Sequence, residues 1–293
     1  MKRMKRIIAL GFFDGVHLGH RSLLARTREL ADEQGAVACA LTFDRSPGKS
    51  GLLTTLPERT RLLQSLGQMD EVLALPFDEE LKSTPWDVFA DRLLCRYDAQ
   101  ALVCGWDYRF GAEAAGTAEL LSQYCAARGV RCDVMPPVVI DGQTVSSTLL
   151  KTLVTSGDME QAAKLYGHPH TLSGAVVSGQ GLGHTLGFPT ANLLPEPELL
   201  LPRTGVYAVR AQVSGAWYTG VCNVGSRPTV GGRGVRVETW LAGFSGDLYG
   251  RPLTVEFWKY LRPERKFASL DALKEEIHRN QQQALALFET HGT

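Results

Sequence analysis

The 293-residue chain has no net charge, 31 Lys and Arg balancing 31 Asp and Glu. That balance argues against a polyanionic partner such as nucleic acid, so any anion site must be local. No hydrophobic run approaches the length of a membrane span, which removes the membrane as an expected partner. The basic opening MKRMKRII passes straight into FFDGVH, without the apolar core of an export signal. Six cysteines (Cys39, Cys95, Cys104, Cys125, Cys132 and Cys222) include no CxxC pair and no zinc-type spacing. Several lie in apolar strand-like runs and read as small core residues, and the expected compartment is a reduced cytoplasm. Internal repeats and low-complexity linkers are also missing. What is present, 44% hydrophobic and 21% charged residues, is the composition of a soluble globular protein with room for two domains.

Two textures divide the chain. The apolar runs RIIALGF (6–12), AVACALTF (36–43), EVLALPF (71–77), AQALVCG (99–105) and VRCDVMPPVVI (130–140) alternate with helix-length segments near 18–34, 57–66, 85–96 and 117–128. This alternation predicts a doubly wound α/β domain, whose ligands bind at the carboxyl ends of the strands. VSSTLLKTLVTSGDMEQAAKLYG then predicts two short helices. From about residue 170, TLSGAVVSG, GVYAVRAQVSG, AWYTGVCNVG, VRVETWLAGF and PLTVEFWKYL are separated by glycine turns. They predict a compact antiparallel β-barrel, closed by one helix over SLDALKEEIHRNQQQALALF. A boundary at Gly167–His170 gives domains 1–168 and 169–293.

Three stretches carry candidate chemistry. The first is GFFDGVHLGH (11–20). Gly11 and Phe13 lead to a turn at Asp14–Gly15, and His17 and His20 follow at the start of a helix. This reads either as a tight turn entering a helix or as a phosphate cradle of imidazoles and free helix-start amides. The second, Val145 to Lys151, offers Ser147, Thr148 and Lys151. By itself it is equally an ordinary Ser/Thr helix cap. The third, GQGLGHTLGFPTAN (179–192), contains Gly179, Gly181, Gly183, Thr185, Gly187, Pro189, Thr190 and Asn192. It lacks a Walker GK[ST] ending, so it is either a glycine-rich hairpin or a phosphate loop. Thr190 and Asn192 offer oxygens to a hard cation. Downstream lie NVGSRPT (223–229), VET (237–239), GDLYG (246–250) and LRPERKF (261–267). Alone, Glu238 could be a solvated strand glutamate.

In order, these motifs resemble known families. Strand–HxGH–helix with a later SST-x-x-basic segment is similar to the nucleotidyltransferases. PTAN and the motifs after it resemble riboflavin kinases, which are six-stranded barrels with a terminal helix. Together they resemble the bifunctional prokaryotic riboflavin kinase/FMN adenylyltransferase family over nearly the whole chain. The resemblance implies phosphorylation of riboflavin to FMN by the barrel, then adenylylation of FMN to FAD by the α/β domain. ATP and Mg²⁺ are the implied co-substrate and metal, and riboflavin, FMN and ATP the small-molecule partners, with no nucleic acid or membrane. It also implies roles. His17 and His20 would hold phosphates around the reacting α-phosphate, and Ser147, Thr148 and Lys151 the β- and γ-phosphates. Thr190 and Asn192 would bind metal and phosphate, and Glu238 would be the general base. Asp107, Arg109 and Phe110 of GWDYRFG (105–111), with Arg262 and Phe267, would meet the flavin.

Departures from the family pattern concentrate in the first half. Ser46 stands where a histidine is common, and Ala112, Glu113, Ala114 and Ala115 follow RFG where basic residues are usual. Leu149 and Lys151 replace two arginines, and His184 replaces a basic residue in the barrel. Two missing charge-assisted hydrogen bonds, each about 1.5–3 kcal/mol, would slow adenylylation by about 10²- to 10⁴-fold. Two rivals follow: a riboflavin kinase with a degenerate adenylyltransferase domain, and a non-enzymatic flavin-binding regulator.

Overall fold

The computed structural model describes residues 4–46, 48, 51–178, 188–229 and 232–290. Strand β1 (Arg6–Leu10) shows why the first half forms a covered sheet. Ile7 and Ala9 face one side, packing with Leu23, Leu24 and Leu30 of α1 (Leu18–Gln34) and Leu62 and Leu63 of α2 (Leu56–Ser65). Ile8 and Leu10 face the other, against Phe89 and Leu93 of α4 (Trp86–Cys95) and Leu121 of α5 (Ala118–Ala126). Both faces are buried, so the strand is apolar from Ile7 to Leu10 rather than alternating. A short α3 (Glu79–Ser83) precedes α4.

With β2 (Val37–Phe43), β3 (Glu71–Leu75), β4 (Ala99–Gly105) and β7 (Arg131–Met135), β1 forms a parallel sheet ordered β3-β2-β1-β4-β7. The order reverses between β1 and β4, which makes their carboxyl ends the crevice for a ligand. Two ribbons complete this half: β5 (Arg109–Phe110) with β6 (Gly116–Thr117), and β8 (Val139–Ile140) with β9 (Gln143–Thr144). The run at 130–140 is thus two strands rather than one. Pro136 and Pro137 interrupt it, and proline cannot donate to a ladder.

Contacts divide the chain into two units, 1–147 and 148–293, so that α6 (Ser147–Ser156) and α7 (Met159–Tyr166) fall almost wholly with the barrel. The two helices are separated at Gly157, and Asp158 caps α7 through the amide of Gln161.

The barrel comprises β10 (His170–Val177), β11 (Thr190–Pro195), β12 (Gly205–Val213), β13 (Ala216–Thr229), β14 (Gly232–Leu241) and β15 (Pro252–Arg262). It closes in the order β10-β11-β14-β13-β12-β15, which removes every exposed sheet edge. Its second strand, β11, begins within the PTAN segment and is the one strand not among the five apolar runs. Helix α8 (Leu270–Thr290) packs against β12 and β13 as the closing element. No helix among the described residues is long and apolar enough to cross a membrane.

Candidate active sites

The first site grows from the end of β1. Between Gly11 and the start of α1, the backbone takes positive φ at Phe13 (58°), Gly15 (82°) and Val16 (41°). Gly15 tolerates this, but a β-branched valine there is strained, at about 1–3 kcal/mol. The strain is held because the side chains of Phe13 and Val16 are fully buried. Asp14, also buried, accepts the amides of Leu53 (2.9 Å) and Thr54 (3.1 Å) through Oδ1. Thr54 Oγ1 takes the Gly15 amide, and Thr42 Oγ1 donates to the Phe12 carbonyl. The Ser147 hydroxyl donates to the Asp14 carbonyl at 3.0 Å, tethering the same loop.

The loop delivers His17 as the N-cap of α1. Its Nδ1 accepts the His20 amide at 3.2 Å. An accepting Nδ1 leaves the ring proton on Nε2. The rings of His17 and His20 stack at 3.6 Å, and the edge of Phe13 meets His20. Burial, His17 and the Arg59 charge together push the His20 pKa well below its usual value, so this imidazole is neutral. Its Nδ1 has no hydrogen-bond partner among the described residues.

Arg59, invisible in the motif reading, is a fully buried guanidinium on α2. It donates to the Phe43 carbonyl at 2.6 Å and lies over the Phe12 ring at 4.3 Å. It enters from a helix far along the chain from both the RFG and the SST motifs. Of the GWDYRFG residues, Asp107 and Arg109 are exposed beyond β4. Phe110 points inward, stacked on Tyr108 and packed on Trp86 and Phe89. Thr148 and Lys151 belong to the second unit, Thr148 exposed and Lys151 half-buried on α6.

The second site lies on the outer wall of the barrel. Pairing sets Asn192 of β11 opposite Glu238 of β14, Glu238 opposite Asn223 of β13, Asn223 opposite Val206 of β12, and Val206 opposite Arg262 of β15. Directly paired residues share a face, so these five form one row. The neighbouring row Thr190–Trp240–Val221 points the same way, because alternate residues of a strand do. The row between them, Ala191–Thr239–Cys222, and the next one along, Leu193–Val237–Val224, fill the buried interior.

Thr190, Asn223, Glu238, Arg262 and Phe267 line a cavity of about 330 Å³, roofed by Leu273, Ile277 and Gln281 of α8. Arg236 Nε lies 3.4 Å from Glu238 Oε2, and Asn223 Nδ2 is 3.4 Å from Glu264 Oε1. The Glu264 carboxylate also lies close over Gly225, where a Cβ would push that side chain aside. The Gln281 Nε2 is buried and has no partner among the described residues. A second cavity, about 350 Å³, is lined by Pro189, Thr190, Thr239, Phe244, Asp247 and Tyr249 among others. Thr190 lines both.

Gly179, Gly181, Gly183, Thr185 and Gly187 lie outside the described residues. The α8 residues were not singled out in the sequence, although their 273/277/280–281 spacing marks one helical face.

A sequence-family model described as FAD synthetase matches residues 1–149, and one described as riboflavin kinase matches 166–288. Bifunctional riboflavin kinase/FMN adenylyltransferase of Pseudomonas fluorescens is 38% identical over 96% of this chain and 92% of its own. The protein of the same name from Bacillus subtilis is 32% identical over 98% and 94%. Among solved structures, one described as a macrolide-efflux protein from Streptococcus pneumoniae matches with a TM-score of 0.89 at 28% identity, covering 97% of this chain and 95% of that one.

Proposed function

The chain belongs to the family of bifunctional riboflavin kinase/FMN adenylyltransferases, and on that premise we propose how its two units divide the chemistry. The barrel transfers the γ-phosphoryl group of ATP to the terminal ribityl hydroxyl of riboflavin, giving FMN and ADP. The α/β unit joins FMN to AMP from a second ATP, giving FAD and pyrophosphate. The presence of both family halves favours the two-step reading over a kinase with a degenerate partner domain.

The observation that carries the kinase assignment is that Thr190 lines two cavities while Glu238 lines one of them. Riboflavin occupies the Glu238 cavity and the nucleotide the other, so the phosphoryl group passes at Thr190. As the hydroxyl oxygen bonds to phosphorus, its proton moves to the Glu238 carboxylate and the γ-phosphorus bond to ADP breaks. The Thr190 hydroxyl and the Asn192 amide are hard oxygen donors on one face of β11, which fits Mg²⁺. Neither side chain carries charge, so nucleotide phosphates would complete the coordination of a hard cation there. When bound, Mg²⁺ supplies charge neutralisation on the transferred phosphoryl group.

In the α/β unit no protein atom attacks. A phosphate oxygen of FMN displaces pyrophosphate, and the chain has only to align the reactants and balance charge. The α1 amides and the His17 Nε2–H donate to the phosphates, neutral His20 lies beside them, and Arg59 supplies fixed positive charge. Asp107 and Arg109 remain candidates for the flavin side. Six free cysteines support a reducing, cytoplasmic setting.

The test is to supply pure protein with riboflavin, ATP and Mg²⁺ and follow products chromatographically. FMN with ADP, followed by FAD with pyrophosphate, is expected. Riboflavin left unchanged would remove the kinase assignment, and FMN that never becomes FAD would remove the second.

A further inference from the structure

Two arginines that line the barrel-wall cavity converge on one carboxylate of the closing helix. Glu276 Oε1 lies 3.2 Å from Arg262 Nε, and its Oε2 lies 2.7 Å from Arg265 and 2.9 Å from Arg279. The carboxylate is itself buried, with its side chain only 7% exposed. One turn further along α8, Asn280 Oδ1 accepts Arg262 Nε at 3.0 Å. The guanidiniums of Arg262 and Arg265 both lie over the Phe267 ring, 5.6 Å and 5.0 Å from its centroid. Phe267, Arg262 and Arg265 all line the cavity, whereas Glu276 does not.

The order of contact is therefore Glu276, then two guanidiniums, then an aromatic wall. Three guanidiniums share one carboxylate, so removing it would leave like charges crowded in a half-buried place. Burial already lowers the Arg262 pKa, a sign that this cation is poorly hydrated. With the carboxylate gone, the arginines gain hydration by turning outward, and Phe267 loses the two groups that set its plane.

We propose that Glu276 is a positioning residue for flavin binding, holding Arg262 and Arg265 so that Phe267 forms a fixed wall of the cavity. The inference rests on the reading of that cavity as the riboflavin site. It assigns the closing helix a part in substrate affinity beyond covering the barrel.

Quenching of riboflavin fluorescence gives Kd for the intact protein without nucleotide, and steady-state FMN formation gives KM and kcat. E276Q keeps the shape and loses the charge. It is expected to raise both Kd and KM for riboflavin about tenfold, with kcat within threefold of wild type. E276D keeps the charge but has a shorter reach, and should raise Kd about threefold. An E276Q protein that melts like wild type and binds riboflavin within twofold of wild type would overturn the inference. If E276Q does not fold, E276D decides, and an unchanged Kd overturns it. Wild-type protein that neither binds nor phosphorylates riboflavin would instead overturn the reading of the cavity.

Discussion

In the α/β unit the candidate site is built on one continuous stretch, residues 11–20, tied by hydrogen bonds to Thr42, Leu53, Thr54 and Ser147. In the barrel it is a row of single residues taken from five strands, roofed by a helix. The first is held by hydrogen bonds to Asp14 and by the buried side chains of Phe13 and Val16. The second is held by strand register, in which a slip of one residue would turn Glu238 inward and Val237 outward. A phosphate cradle built from backbone needs local rigidity, because its donors are amides. A general base needs only one side chain delivered to one place. The two sites should therefore fail differently.

Glu238→Gln should break the comparison most sharply. FMN formation is expected to fall by about 10²- to 10⁴-fold, while FAD formation from supplied FMN stays as it was. Parallel loss of both activities would mean that the two units do not act separately. Asp14→Ala should show the opposite kind of failure, in structure. It leaves the Leu53 and Thr54 amides buried without their acceptor, at about 1–3 kcal/mol each. A calorimetric melt should show a loss of several degrees and FAD synthesis should fall, with FMN synthesis preserved at low temperature. His20→Ala removes a neutral imidazole while keeping the His20 amide that binds His17 Nδ1. FAD formation should drop by about 10- to 100-fold and FMN formation should not; unchanged FAD kinetics would take His20 out of the site.

The most gradual expected effect is in pH dependence, where the units should slope in opposite directions. Burial pushes the His170 pKa down to about 3, so the folded barrel holds it neutral. Below about pH 6.5 the unfolded chain binds a proton that the folded one refuses. Barrel stability is therefore lost as pH falls toward 3, by about 1.4 kcal/mol per unit. Burial raises the Glu58 pKa to about 7, and its Oε2 has no partner among the described residues. Between about pH 4.5 and 7 the folded α/β unit keeps a proton that the unfolded chain releases, so its stability falls as pH rises. Melting curves of H170Q and E58Q against pH check this. Each variant should flatten one slope and leave the other, and a shared slope would contradict the assignment.

Much of this was legible before the fold was known. The alternation at 6–43 and 99–105 marks a covered parallel sheet, and the glycine-separated runs after 170 mark a barrel, because burial on two faces or one writes itself into the period. GFFDGVHLGH is readable because its geometry is local: strand end, turn and helix cap lie within ten residues. The break at Pro136–Pro137 was missed, since an apolar run does not reveal where pairing stops. Phe110 looked like a flavin contact because motif position does not say which way a side chain points, and it lies in the aromatic core.

Chain composition and motif order alone determined the two-unit plan, the chemistry of the residues available and the family to which they belong. Tertiary structure decided which of those residues meet. It set Asn192, Glu238 and Asn223 side by side from segments far apart, brought Arg59 to the histidine pair, and joined Glu276 on the last helix to Arg262 and Phe267. The physical reason is that helix caps and turns are fixed by neighbours along the chain. Strand register and the seating of a closing helix follow instead from the packing of the whole core.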